Sequence, residues 1–127
     1  MVTSRKKTEL AEFSCTADVN VGDLVSLDGE GKATTVTALT PDLLPALGVV
    51  ISRYGDRVIT QTMGTVRGVY QSLVPGERYL VGLDGKPGRT PFLAVEGTHA
   101  FFQAVGVAVD ASSLLLTPTT TVVGVYL

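Results

Sequence analysis

The single histidine of this 127-residue chain is the first candidate for chemistry. His99 stands in the stretch VEGTHAFF, where Glu96 and Thr98 are near enough in sequence to orient it. Histidine is the commonest general acid or base in hydrolytic catalysis. A serine nucleophile on a strand-to-helix elbow would show a G-x-S-x-G motif, which this sequence lacks. We therefore interpret His99 as a loop histidine beside Phe101 and Phe102, and we predict that the protein is not an enzyme.

The single cysteine gives no stronger indication of catalysis. Cys15 alternates with Phe13 in FSCTAD, a pattern typical of a β-strand with both side chains on one face. A reactive thiolate needs a neighbouring base or cation, and none is evident in the sequence around Cys15. We expect Cys15 to be a small buried apolar residue. Because one cysteine cannot form an intramolecular disulfide, we also expect synthesis in a reducing cytoplasm.

Two acids in a glycine-rich turn raise the question of a metal or phosphate site. Asp28 and Glu30 lie together in LDGEGK, but an EF-hand loop needs acids at three alternating positions and a distal glutamate. GEGK also fails as a phosphate-binding loop, because Ser26 stands where the first glycine belongs and Ala33 where serine or threonine belongs. Zinc would need paired cysteines and histidines. We predict no metal site, no cofactor and no catalytic residue.

Charge is scarce in this sequence. Charged residues make up 17% of the chain and the net charge is −2, whereas about a quarter of a typical soluble domain is charged. The basic cluster Arg5, Lys6 and Lys7 is too small to indicate a nucleic-acid binder, which neutralises many phosphates. We predict instead that residues 1–10 form a flexible basic arm that docks on an acidic protein surface. No apolar stretch approaches the ~20 residues of a membrane span, so no membrane partner is expected.

The rest of the sequence predicts β-strands almost throughout. Val, Thr, Ile and Leu alternate in short runs, which Gly, Pro and Asp-Gly pairs interrupt. The predicted strands are Ala11–Thr16, Leu24–Leu27, Lys32–Thr37, Gly48–Arg53, Arg57–Gln61, Gly64–Val69, Arg78–Leu83, Ala104–Val109, Ser113–Thr117 and Val122–Tyr126. Only Thr40–Gly48 resembles a helical turn, which Pro45 ends at once. A chain of this length and pattern predicts one all-β domain, either a β-sandwich or a β-barrel.

The strands fall into two related halves. VGDLVSLDG at 21–29 is repeated as PGERYLVGLDG at 75–85, and ALGVV at 46–50 is repeated as AVGVA at 104–108. We predict two β-meander repeats, the first at about 18–62 and the second at about 73–118.

The repeated motifs have a structural interpretation. Each Asp-Gly pair, at 28–29 and at 84–85, is expected to form a type I′ hairpin with positive φ at both central residues. Gly48 and Gly106 are expected to lie inside strands where another backbone approaches closely. The duplication therefore indicates two copies of a folding unit, not two copies of an active site.

The sequence resembles small β-modules of tailed-bacteriophage virion proteins. The resemblance covers about residues 18–118 and depends on four segments, which are ALGVV (Ala46–Val50), GTVRG (Gly64–Gly68), LVPGERYLVGLDG (Leu73–Gly85) and FQAVGVAVDASSLLLTP (Phe102–Pro118). The family often has Gln-Pro before its second VGVA segment, where this chain has Gln103-Ala104. Such modules carry no family-wide catalytic residues, so the resemblance transfers no site.

The resemblance implies a structural role in a virion. It favours a head decoration or cement protein on the capsid surface, with the major capsid protein as partner and a homotrimer as the expected form. The alternative is a tail-fibre, tail-tip or baseplate module that binds a receptor or a carbohydrate. Trp is absent and only four Tyr and four Phe are present, so the sequence offers few aromatic rings for stacking on sugars.

The C-terminal residues are the candidate interface. Asp110 is the last charged residue, and TTTVVGVYL at 119–127 combines high β-propensity with no charge and no proline. An open edge of this kind would aggregate, so we expect it to be paired. One candidate partner is the first strand, near Phe13, and the other is a neighbouring subunit. The predicted interface residues are Thr119, Thr120, Thr121, Val122, Val123, Val125, Tyr126 and Leu127.

Overall fold

The computed structural model describes residues 8–39, 45–82, 84–89, 99–117 and 123–126, which form strands and turns and no helix. The predicted all-β fold is confirmed. The strands are β1 (Glu9–Ser14), β2 (Leu24–Leu27), β3 (Ala33–Thr35), β4 (Gly48–Tyr54), β5 (Arg57–Arg67), β6 (Arg78–Val81), β7 (Pro87–Gly88), β8 (His99–Phe102), β9 (Ala104–Asp110), β10 (Ser113–Leu116) and β11 (Val123–Tyr126).

The predicted bounds of most strands differ from the observed ones by one or two residues, and the larger differences concern β5, β7 and β8. The two strands predicted at 57–61 and 64–69 form one continuous strand, β5. The sequence did not predict β7 or β8. The predicted turn at Thr40–Gly48 lies largely outside the described residues, since 40–44 are not among them.

Nine of the strands form one curled antiparallel sheet. Its order is β3-β2-β4-β5-β10-β9-β6-β7, and β1 pairs with the first part of β5. The remaining strands, β8 and β11, pair with each other in a separate two-stranded sheet. The curl gives the larger sheet the form of a half-barrel.

The strand order has a symmetry that follows the sequence repeat. Four strands from the first half, β3-β2-β4-β5, are followed by their counterparts in reverse order, β10-β9-β6-β7. A hairpin joins β4 to β5 at Tyr54 and Arg57, and another joins β9 to β10 at Asp110 and Ser113. The two halves meet where β5 pairs with β10.

The two ends of the curled sheet also meet. The Leu24 N–H donates to the Gly85 carbonyl at 2.7 Å, and the Ala38 N–H donates to the Gly82 carbonyl at 3.0 Å. A Cβ on Gly85 would lie 2.3 Å from Thr35 Cγ2, so the ends can approach this closely only because residue 85 has no side chain. We call this line of contact the seam.

Two apolar clusters fill the two faces of the sheet. Neighbouring residues of one strand point to opposite faces, so Leu24 enters one cluster and Val25 the other. The larger cluster takes residues from both halves of the chain, namely Leu24, Val36, Ala46, Val49, Val66, Leu73, Tyr79, Val81, Val105, Ala108, Leu114 and Leu116. Full burial of one such Val or Leu side chain contributes about 1.5–3 kcal/mol.

Gly48 and Gly106 occupy equivalent places, as the repeat predicts. A Cβ on Gly48 would lie 2.3 Å from the Gln61 carbonyl oxygen on β5. A Cβ on Gly106 would lie 2.1 Å from the Leu115 carbonyl oxygen on β10. The expectation that another backbone approaches both glycines closely is confirmed.

The prediction of type I′ turns at the Asp-Gly pairs is wrong. Asp28, Gly29 and Asp84 all lack positive φ, which that turn requires at both central residues. In the first hairpin the Gly31 N–H donates to the Asp28 carbonyl at 3.0 Å, and Gly31 has φ +77°. The loop of this hairpin is therefore one residue longer than the two-residue loop of a type I′ hairpin. Its residue with a left-handed backbone conformation is Gly31. The hairpins themselves are present, because β2 pairs with β3 and β6 with β7.

Candidate functional site

His99 is the first residue of β8, not a loop residue as predicted. Its backbone lies opposite Tyr126 of β11. Glu96 and Thr98, the residues expected to orient it, lie outside the described residues.

Cys15 is buried, as the alternation with Phe13 predicted. It packs with Val19, Val25 and Val58, and Phe13 packs against the same cluster. Its N–H donates to the Asp56 carbonyl at 2.8 Å, which fixes the chain just after β1. These contacts give the residue a packing role.

Asp28 uses its carboxylate to build the turn in which it stands. Its Oδ1 accepts the backbone N–H of Glu30 at 2.8 Å and that of Lys32 at 3.0 Å. These two hydrogen bonds lower the pKa of the Asp28 carboxyl below its ordinary value, and the bond from Lys32 has the larger effect. Glu30 lies 3.7 Å from the Lys32 ammonium. Among the described residues, no group of three or more His, Cys, Asp or Glu side chains is placed to hold a metal ion.

A polar cluster that the sequence did not indicate lies at the seam. Asp23 has a side chain only 5% exposed, and its Oδ1 lies 2.9 Å from the Lys86 ammonium. Its Oδ2 accepts the Thr35 hydroxyl and the Asn20 N–H, both at 2.9 Å. The Tyr70 hydroxyl donates to the Gly22 carbonyl at 2.7 Å. We call Asp23, Thr35, Tyr70 and Lys86 the seam cluster.

The electrostatics of the seam cluster are those of a structural contact. Burial, followed by the charges of Asp23 and Asp84, raises the pKa of the Tyr70 hydroxyl far above its ordinary value. The Asp23 carboxylate accepts hydrogen bonds from three different segments, so both of its oxygens are satisfied. A buried carboxylate is stable only when it is paired and hydrogen-bonded in this way. The cluster therefore fastens the two ends of the sheet together.

Gln103 performs a similar structural task between β8 and β9. It is 1% exposed, its Oε1 accepts the Ala46 N–H at 2.7 Å, and its Nε2 donates to the Ala46 carbonyl at 3.3 Å. The Gln103 side chain therefore makes the two backbone hydrogen bonds with Ala46, just before β4, that a neighbouring strand would otherwise make.

The predicted C-terminal interface is only partly described. Val123, Val125 and Tyr126 belong to β11, and Val123 is 51% exposed. The other interface residues, Thr119, Thr120, Thr121, Val122 and Leu127, lie outside the described residues, as do Arg5, Lys6 and Lys7 of the arm.

The partner of the C-terminal strand within the chain is β8. Val123 pairs with Phe102, and Tyr126 pairs with His99. The candidate partner near Phe13 is not the one observed, because among the described strands β11 pairs with β8, whereas Phe13 of β1 pairs with Val58 of β5. The sequence could not show this, since β8 was not recognised as a strand.

Apolar side chains are exposed on several strands. Within the described ranges, the large ones that are at least 40% exposed are Leu10, Val21, Leu27, Leu39, Tyr54, Met63, Val109 and Val123. Leu10 and Met63 lie near each other, since Leu10 pairs with Gln61 and Glu9 with Met63. Scattered apolar residues are normal on a protein surface, but here they accompany an unusually low content of charge.

Comparison with known proteins gives no relative. No protein-family model matches the chain, and no curated protein or solved structure matches it significantly. Within the described residues, no helix is long and apolar enough to span a membrane.

Proposed function

We propose that the protein is a non-enzymatic structural component of a bacteriophage virion, a decoration or cement protein that binds the capsid surface. The proposal is carried by the uncharged C-terminal segment, residues 111–127, which includes the exposed Val123 of β11. A surface that lacks charge and exposes apolar side chains is suited to burial against other protein. The resemblance of residues 18–118 to phage virion modules is the reason for proposing that this other protein belongs to a virion.

The mechanism is stabilisation by linked binding. A protein that binds the assembled shell and not its free subunits shifts the equilibrium toward the shell. The major capsid protein is the proposed partner, and a homotrimer suits the three-fold positions of a capsid lattice. Synthesis would take place in the bacterial host cytoplasm, before addition to the outside of the head.

The basic arm has a separate part in this proposal. Arg5, Lys6 and Lys7 would steer the protein to an acidic patch on the shell, because complementary charge mainly raises the rate of association. Replacing all three by glutamine should slow binding at low salt and change it little at high salt, since salt screens such charges.

The test uses empty shells assembled from the capsid protein of the phage that encodes this chain. The purified protein should sediment with the shells at a fixed stoichiometry and raise the temperature at which they disassemble. Gold-labelled antibody on whole virions should mark the head. Labelling confined to the tail or its fibres, without binding to empty shells, would support the tail-fibre, tail-tip or baseplate alternative and refute the decoration proposal.

A further inference from the structure

A row of side chains crosses four neighbouring strands of the large sheet. Leu115 of β10 lies opposite Thr65 of β5 on one side and Val107 of β9 on the other. Val107 in turn lies opposite Arg78 of β6. Directly opposed residues project their side chains from the same face, and Leu80, two residues after Arg78, shares that face. We call these five residues the outer patch.

The outer patch lies on the face opposite the larger apolar cluster. The chain neighbours of its residues belong to that cluster, namely Val66, Tyr79, Ala108 and Leu114. An antiparallel sheet with one face in water normally alternates apolar and polar residues along each strand. Here the alternation fails on three adjacent strands, since Leu80, Val107 and Leu115 are apolar on the second face as well. Apolar residues on both faces are typical of strands that are covered on both faces.

The first half of the sheet has such a cover within the chain. Val49 and Val50 of β4 are both fully buried, Val49 in the larger cluster and Val50 in the smaller one. The segment after β1 supplies part of this cover, because Cys15 and Val19 pack in the smaller cluster. Among the described residues no equivalent segment covers the outer patch, whose three apolar residues belong to neither cluster and are partly exposed.

Two exposed arginines stand at the rim of the outer patch. Arg78 ends the row on β6, and Arg67 lies two residues after Thr65 on β5, so that both share the face of the patch. Neither arginine forms an ion pair with a described carboxylate. Asp110 also lies on this face, because Ser113 is opposite both Asp110 and Arg67. Together these two arginines and one aspartate give the rim a net positive charge.

We infer that the outer patch is a docking surface for the capsid protein, and that it contacts a region of that protein with an apolar centre and carboxylates at its rim. The identity of the partner rests on the proposed function, and Leu115 belongs to the uncharged segment 111–127 that carries that proposal. The three apolar residues match an apolar centre, because burial of exposed apolar surface drives association. The two arginines match carboxylates, since complementary charge fixes the register of a contact and suppresses wrong partners. Two arginines are too few for a nucleic acid, whose binding neutralises many phosphates.

Two variants in the outer patch and two matched controls test the inference. Leu115→Glu places a carboxylate in the apolar centre, and Arg78→Glu reverses a charge at the rim. Each should weaken binding to empty shells at least about tenfold, as the loss of an interface anchor does. Leu10→Glu on β1 is the control for the first variant, because Leu10 is 55% exposed. Lys32→Glu is the control for the second, because Lys32 is an exposed cation outside the patch, and both controls should bind as the unmodified chain does.

Hydroxyl-radical footprinting of the unmodified protein tests the same surface without a variant. Leu80 and Leu115 should be oxidised in the free protein and protected on the shell, whereas Leu10 should be oxidised in both. Protection of both patch leucines in the free protein would show that this chain or a second copy already covers them, and their oxidation on the shell would show that the contact lies elsewhere. Either result overturns the inference. If Leu115→Glu does not fold, Arg78→Glu and the footprint decide.

The outcomes separate this inference from the proposed function. If the unmodified protein binds shells and Leu115→Glu and Arg78→Glu bind equally well, the inference falls and the proposed function stands. If the unmodified protein does not bind shells, both fall. Binding of the unmodified protein to DNA that Arg78→Glu abolishes would assign the patch to a nucleic acid and overturn the inference.

Discussion

The Lys86 ammonium lies 2.9 Å from the carboxylate of Asp23, 63 residues earlier in the chain, and this ion pair joins the two ends of the curled sheet. Asp23 is almost fully buried, whereas the Lys86 side chain is 47% exposed. The pair therefore differs from ordinary surface ion pairs, which contribute about 0–1 kcal/mol.

Removing Lys86 should destabilise the fold. Lys86→Met would leave a buried carboxylate without its cation, at a cost of about 1–3 kcal/mol in the free energy of unfolding. Lys32→Met is the matched control, because Lys32 is equally exposed but pairs with the exposed Glu30 at 3.7 Å. Urea unfolding should show a loss for Lys86→Met and almost none for Lys32→Met. Adding Asp23→Asn should recover part of the loss, and equal effects at the two lysines would contradict this account of the seam.

The paired glycines give a second prediction. Alanine at Gly48 or at Gly106 would place a Cβ 2.3 or 2.1 Å from a backbone carbonyl oxygen of the next strand. One strand would have to shift, so each substitution should cost about 1–3 kcal/mol. Gly29→Ala is the control, because nothing lies within 4 Å of its added Cβ. Melting temperatures of the three variants would check this, and unchanged values for both Gly48→Ala and Gly106→Ala would contradict it.

The first hairpin gives a prediction that reverses the sequence-based one. Sequence alone predicts positive φ at Asp28 and Gly29, whereas the structure places the left-handed residue at Gly31, with φ +77°. Gly31→Val should therefore cost about 1–2 kcal/mol through backbone strain. Gly29→Val should change stability by no more than about 0.5 kcal/mol. Chemical denaturation of the two variants distinguishes the turns, and a larger loss at Gly29 would restore the type I′ interpretation.

Acid should weaken the fold through the carboxylates of Glu12, Asp28 and Asp110. Hydrogen bonds from Tyr54 and then Arg57 lower the pKa of Glu12, and backbone N–H groups lower those of Asp28 and Asp110. A carboxyl whose pKa is lower in the folded state stabilises that state above its unfolded pKa, and this contribution is lost as pH falls through the folded pKa. The ordinary values are 4.5 for Glu12 and 3.8 for the aspartates.

The loss of stability should therefore begin near pH 4.5 and grow as the pH falls further. The urea midpoint measured at pH 7, 4 and 3 should decline along that series. A variant with Asp28→Asn, Asp110→Asn and Glu12→Gln should decline less steeply than the unmodified chain. Identical pH profiles for the two proteins would show that these carboxyls do not control acid unfolding.

Sequence periodicity located most of the strands because it reports burial directly. In β2, Leu24 and Val25 are fully buried on opposite faces, and the predicted bounds match the observed ones. The sequence did not predict β7, because Pro87 and Gly88 are residues that disfavour strands and are tolerated at a sheet edge. β7 is that edge strand.

The turn and the seam show what local sequence could not determine. The type of turn that begins at Asp28 depends on which later N–H donates to the Asp28 carbonyl. An Asp-Gly pair is compatible with more than one turn type. The ion pair between Asp23 and Lys86 depends on the curl of the whole sheet, which brings residues from opposite ends of the strand order together. Neither Asp23 nor Lys86 stands in a sequence motif that indicates an ion pair between them.

The ladder between β5 and β10 gives the molecule the character of a heterodimer whose subunits share one chain. Ser113 lies opposite Arg67, and Leu116 lies opposite Gly64. A cut between Arg67 and Arg78 would yield one fragment with β1–β5 and another with β6–β11. Each would lack the strand that completes its edge, and the other fragment holds that strand. The short connection between them acts as a tether, which keeps the effective concentration of each half for the other on the order of millimolar.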